Sequence, residues 1–299
     1  MVFALSLCYS EFCITNQYSV MKTAQPILIN DLFTKLDKKL IEVLKSLSPK
    51  DWEKQTIAPC WVVKDVAVHL LDGNIRTLSM LRDGYFGEKP DPIHSYQDLV
   101  DYLNRLNADW TKALRRISPS LLIELLETTG KQYSDYLRTL HPFDKAAFSV
   151  AWAGEEQSDN WFHIAREYTE KWHHQQQIRL AVGQAKELYS AAFYHPHLET
   201  SMRALPHHYR DVTGNLHDVI KFTITGEGGG DWFLYHDETQ WVLLVDCVLK
   251  PVCEVSIEGE IAWRIFTKGI QKEEAEKQIK ITGKHALGEK IMDMLAIMA

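Results

Sequence analysis

The apolar residues of this chain change their period once, and that change constrains the architecture more than any other feature. From about residue 32 to about residue 210 they recur at helical spacing; beyond about residue 212 they fall into short strand-like runs. Leu32, Phe33, Leu36, Leu40, Val43, Leu44 and Leu47 follow the i, i+3, i+4, i+7 rule, with Asn30 or Asp31 as the cap. Pro49 and Pro59 bound a connection, and Val62 to Leu81 reads as a second helix. Ser95 and Asp98 have the spacing of a capping box and open a third helix, from Asp98 to about Ile117. A fourth runs from Pro119 to about Leu140 and stops before Pro142; a fifth, capped by Asn160, runs to about Leu180. Long amphipathic helices with modest loops predict an antiparallel four-helix bundle, with residues 141–159 as a longer crossover.

Past residue 212, Val219 to Ile224, Asp231 to Tyr235, Trp241 to Val248 and Cys253 to Ile257 read as strands. The glycine-rich run from Gly226 to Gly230 is followed by no Lys-Ser/Thr pair and opens no helix. It reads as a hairpin connection and not as a phosphate loop. Helical signals return at Ala262 to Lys268, Lys272 to Lys277 and Leu287 to Met298, with a short strand at Ile279 to Ile281. The expected class is α plus α+β. The expected division is a disordered or non-native leader over 1–28, a metal-binding helical bundle over 29–185, a connecting segment over 186–212 and an α+β domain over 213–299.

A chain of 299 residues has room for two such units, and 45% hydrophobic with 24% charged residues suits a soluble globular protein. The net charge of −7, with no long basic run, argues against nucleic acid and anionic membrane as partners. No stretch approaches the roughly 18 apolar residues of a membrane span. The first twenty residues carry no positive charge ahead of their apolar stretch and include Glu11, which does not fit a signal peptide. They read as a disordered leader, or as an upstream start with the natural one at Met21. Five cysteines (Cys8, Cys13, Cys60, Cys247, Cys253) form no CxxC pattern and read as reduced thiols of a cytoplasmic protein. Cys60 reads as a small buried cysteine in preference to a nucleophile.

Glu170 and His174 lie four residues apart in the fifth helix, which stacks a carboxylate and an imidazole on one face. His69, from the second helix, would complete three protein ligands with one open position, the usual catalytic zinc arrangement. Taken singly, His69 is more often a core histidine, and Glu170 with His174 an ordinary surface pair. The same face carries His163, Glu167 and Gln177, on a helix flanked by Trp161, Phe162 and Trp172. So polar a stripe needs solvent or a site, and solvent is the commoner explanation. His195, His197, His207 and His208 read as surface or linker residues.

Pro59-Cys60-Trp61-Val62-Val63-Lys64-Asp65, followed by His69-Leu70, resembles the segment C-x-W-T-V-x-D-x-x-x-H-L of the mycothiol-dependent maleylpyruvate isomerase family, a branch of the DinB-like metal-binding bundles. Glu170, Trp172 and His174 resemble its second signature, E-x-W-x-H-x-x-D. Thr223 to Gly226, Gly228 to Gly230, Trp232, Ala262-Trp263-Arg264 and the stretch from Gly283 to Ala299 are similar to its sterol-carrier-like second domain. The resemblance implies His69, Glu170 and His174 as ligands of a divalent metal, usually zinc. It also implies a small-molecule substrate and a low-molecular-weight thiol such as mycothiol or an analogue, in a monomer or small homo-oligomer. Addition of the thiol to an activated cis double bond, rotation and expulsion would give the trans isomer. Arg264 or Lys268 would meet an anionic substrate, and His163 or Glu167 would shuttle protons. This chain departs from the pattern in three places. Val62 replaces a Thr, Gln177 replaces the Asp three residues past the last ligand, and the arginine-containing turn reads Trp263 to Gly269. The reading from another class is a metal-binding or apolar-ligand-carrying protein without turnover.

Overall fold

In a computed structural model describing residues 21–88 and 91–297, the change of period near residue 212 separates a helical region from a mixed sheet. A two-residue strand β1 (Lys22–Thr23) precedes α1 (Leu32–Ser46) and α2 (Val63–Thr77), which continues as a π-helical turn over Leu78–Arg82. α3 (Tyr96–Leu114), α4 (Pro119–Thr139), α5 (Asn160–Ala181), α6 (Ala191–Ser201) and α7 (Leu205–His208) follow. The local signals are those expected. Ser95 Oγ accepts from the Asp98 N–H at 3.1 Å while the Asp98 carboxylate accepts from the Ser95 N–H at 2.9 Å, a closed capping box. At α4, Ser118 Oγ accepts from the Leu121 N–H, with Pro119 in the first turn, where its missing donor costs nothing. The start of α1 differs: Asp31 makes no side-chain cap, and Asn30 Nδ2 instead donates to Leu137 O at the end of α4.

α1, α2, α4 and α5 form the bundle, and α3 lies on α2, where Trp110 Nε1 donates to Val68 O at 3.0 Å. α1 buries Phe33, Leu36, Leu40, Val43 and Leu44, the stripe its spacing predicts. α5 is different in kind, being buried nearly all round, polar residues included.

Residues 186–212 are largely helical, because Tyr194, Leu198, Met202, Leu205 and Tyr209 form one buried face at helical spacing. Pro196 and the paired histidines masked that face in the sequence. Of the leader expected over 1–28, residues 22–27 take part in the fold, since Lys22 and Thr23 pair with a strand of the sheet and Ile27 is buried; residues 1–20 lie outside the described residues.

The sheet has β2 (Val219–Thr225), β3 (Gly230–His236), β4 (Trp241–Asp246) and β5 (Cys253–Glu258). α8 (Gly259–Phe266), α9 (Lys272–Ala275), β6 (Ile279–Gly283) and α10 (His285–Gly288) complete the chain. Strand order is β1-β4-β3-β2-β5-β6, with β2 and β5 parallel and the other neighbours antiparallel. The glycine run closes the β2–β3 hairpin. A side chain at Gly229 would lie 2.0 Å from Ile224 O, and one at Gly228 would lie 2.5 Å from Tyr194 Cβ of α6. The helix expected over Leu287 to Met298 is confined to α10 and a 3₁₀ turn over Glu289–Asp293. Leu287, Ile291, Met294 and Ala296 are buried there at irregular spacing. One apolar cluster runs from Phe33 and Trp172 through Tyr194 to Trp263 and Phe266, and so joins bundle and sheet. Among the described residues, no helix is long and apolar enough to cross a membrane.

Candidate metal centre

The polar stripe of α5 turns inward. His163, Arg166, His174 and Gln177 are buried, and Glu167 and Glu170 half-buried, so solvent does not explain it. A helix that buries charge on this scale must satisfy it within the protein.

α2 carries His69 to the same place. The His69 and His174 rings meet edge to face with centroids 4.6 Å apart, and His174 Nε2 is 3.7 Å from a Glu170 carboxylate oxygen. His69, Glu170 and His174 line a cavity of about 40 Å³, together with Leu70, Gly73, Asn74, Tyr133, Glu167 and Lys171. His69 Nδ1 is buried with no hydrogen-bond partner among the described residues. His174 Nδ1 is 3.0 Å from Gln177 Oε1. An amide oxygen only accepts, so the proton sits on Nδ1 and Nε2 offers a lone pair toward Glu170. Burial, aided by the neighbouring His173, pushes the His174 imidazolium down to about 3, and burial pushes His69 well below its ordinary value. Both rings are thus neutral donors at neutral pH. Burial raises the Glu170 carboxyl, against the pull of His174.

His173 was missed in the sequence. One donor atom each from Glu170, His173 and His174 lie within 4.8 Å of one another, a possible His/Glu/His metal site formed within α5 alone. Its Nδ1–H donates to Thr169 O at 3.0 Å, which leaves Nε2 unprotonated. The i, i+3 spacing to Glu170 was a legible signal. His69 comes to this group through its contact with His174.

Beside the cavity, Glu167 accepts from Tyr133 Oη at 2.7 Å and from Arg166 at 3.0 Å. Burial alone would raise the Glu167 carboxyl, but Arg166, His163 and Tyr133 together hold it below its usual range. His163 Nδ1 accepts from Arg166 at 2.6 Å, and burial pulls its imidazolium down to about 4. His163 therefore reaches the cavity only through Arg166 and Glu167. Lys171 lines the wall, but its ammonium is paired with Asp37 at 2.9 Å. Arg264 lies off the cavity: its Nε donates to Gly269 O and its guanidinium faces Glu274. Lys268 is exposed.

The loop before α2 covers the imidazoles. The Trp61 ring lies 4.7 Å from that of His69 and 5.9 Å from that of His174, centroid to centroid. Trp61 O accepts from Gln55 Nε2 and Thr56 Oγ1, which hold this loop closed on itself. Where Val62 replaces a capping Thr, the Asp65 carboxylate still accepts from the Val62 N–H at 3.2 Å, so half of the cap survives. Cys60, expected to be buried, is exposed.

Two imidazole nitrogens and a carboxylate around a small cavity are a donor set suited to a divalent metal, and one buried nitrogen of His69 has no partner among the described residues. Residues 33–179 match the family model of the mycothiol maleylpyruvate isomerase N-terminal domain. No curated protein matches the chain. Two crystal structures of mycothiol-dependent maleylpyruvate isomerase, one of a mutant, are similar over 79% of this chain and 86% of theirs. Their identities are 8% for the mutant and 10%, with TM-scores of 0.43 and 0.42. The sterol carrier protein domain 2 of Helicoverpa armigera is similar at 19% identity over 32% of this chain and 83% of that one, with a TM-score of 0.26. The matched segment runs from α1 into the last turn of α5 and contains His69, Glu170 and His174. Residues 33–179 therefore belong to the mycothiol maleylpyruvate isomerase N-terminal domain family.

Proposed function

We propose that this chain is an enzyme that works with a divalent metal, zinc in the first instance, and a low-molecular-weight thiol. Its reaction is a maleylpyruvate isomerase-like cis–trans isomerisation or a thiol S-transfer. The observation that carries the reading is the meeting of His69, Glu170 and His174 at one small cavity, with a buried ring nitrogen of His69 left without a partner among the described residues. When bound there, a divalent cation with an open position supplies the Lewis acidity that makes a thiol a thiolate near neutral pH.

The protein's own groups do the remaining work. Neutral His69 and His174 donate lone pairs, and Glu170 offsets part of the cation's charge. Trp61 shields both rings from water. Glu167, kept anionic by Arg166 and held by Tyr133 Oη, faces the cavity and can accept a hydrogen bond or proton from an entering thiol. His163 supports Glu167 through Arg166. Arg264, turned toward Gly269 and Glu274, is given no part.

Elemental analysis of the purified protein is expected to find about one divalent metal per chain. His69→Ala and His174→Ala should both lose it. Thiol-dependent turnover, screened with mycothiol and other small thiols against maleylpyruvate and related cis-unsaturated acids, should fall by more than about a hundredfold in each variant. Protein that purifies without metal and takes none up would overturn the reading. Stoichiometric metal without turnover for any thiol would favour a non-catalytic metal-binding protein.

A further inference from the structure

The buried partner of His174 is an amide where the family signature carries a carboxylate. His174 and Gln177 are 8% and 6% exposed, and Nδ1–H of the ring donates to Gln177 Oε1 at 3.0 Å. A carboxylate in that place would orient the imidazole equally well, fix the same tautomer and make the ring a stronger donor. It would also add one negative charge beside the site. With Gln177, the three ligands carry only the charge of Glu170, and Glu167, which also lines the cavity, is balanced by Arg166, so a bound divalent cation keeps one net positive charge. We propose that Gln177 is a positioning residue that holds His174 in the Nδ1–H tautomer without adding charge. By doing so it gives up some affinity for the cation and strengthens the site's hold on an anionic fourth ligand, a thiolate above all.

The inference rests on metal binding at His69, Glu170 and His174, and it makes two predictions of opposite sign for one nearly isosteric change. Gln177→Glu keeps the acceptor oxygen and restores the charge. It should bind metal about tenfold more tightly and, once loaded, bind a thiol about tenfold more weakly. Gln177→Leu removes the acceptor and should bind metal about ten- to a hundredfold more weakly. The measurement uses the full chain, stripped by chelator and reloaded with Co²⁺. Metal affinity is read by chelator competition, and 2-mercaptoethanol is then titrated at about pH 8 while the sulfur-to-cobalt absorption band is followed. Tighter cobalt with weaker thiol in Gln177→Glu supports the proposal, and this variant decides alone if Gln177→Leu does not fold. Thiol affinity equal to wild type in Gln177→Glu overturns it and leaves the metal site intact. Wild-type protein that takes up no cobalt overturns the metal reading itself, and this inference with it.

Discussion

His197 is 1% exposed, stacked on Trp172 at 4.3 Å between centroids, and neither of its ring nitrogens has a hydrogen-bond partner among the described residues. An unsatisfied buried polar group costs about 1–3 kcal/mol, so His197→Phe, which keeps the stack, should stabilise the protein by about 1 kcal/mol in urea denaturation. A loss of stability would show that the ring nitrogens have a use. Burial also drives His197 well below its usual value and His163 to about 4. Both folded values lie under the unfolded one near 6.5, so the unfolded chain binds more protons between them. The stability these groups contribute is complete above that pH and is lost as pH falls toward 4. Metal-free protein should therefore show urea midpoints that decline from about pH 6.5 to 4, and a flat profile would contradict the burial. Legibility at this scale follows contact range. Glu170 and His174 declare themselves through one helical turn, whereas Tyr133 and Lys171 reach the site from pairings that join separate helices and leave no trace in spacing.

At the scale of elements, local chemistry foretold most starts and stops. The Ser95–Asp98 box opens α3 within two residues of the expected start, and Ser95→Ala should cost about 1 kcal/mol. Faster amide exchange confined to the first turn of α3 would be the matching signature; exchange that rises across the whole bundle would not fit. α6 escaped because a proline and two histidines interrupt a helical face whose apolar members are nonetheless buried. α5 showed the opposite ambiguity. Its polar stripe fits a wet surface and a buried site equally well in sequence, and only the packing of α1, α2 and α6 against it decides. The glycine run was read correctly for a physical reason, since nothing after it could hold a phosphate.

For the whole molecule, the shared core matters more than the division into helices and sheet. Trp172 of α5 and Trp263 of α8 meet edge to face at 5.9 Å, and Trp232 Nε1 donates to Glu199 of α6 at 2.6 Å. Trp263→Ala should cost about 3–5 kcal/mol, and wild type should unfold in one transition seen alike by circular dichroism and tryptophan fluorescence. Two separated transitions would show that the halves are energetically independent. The smallest element has a consequence of its own. β1 caps the flank of β4 with only two residues, Lys22 and Thr23. Trimming the chain to begin at Ile27 would bare the hydrogen-bonding edge of β4 from Leu244 to Asp246, and such an edge recruits a neighbour's strand. A fragment shortened in this way should elute as larger species in gel filtration although it has lost mass.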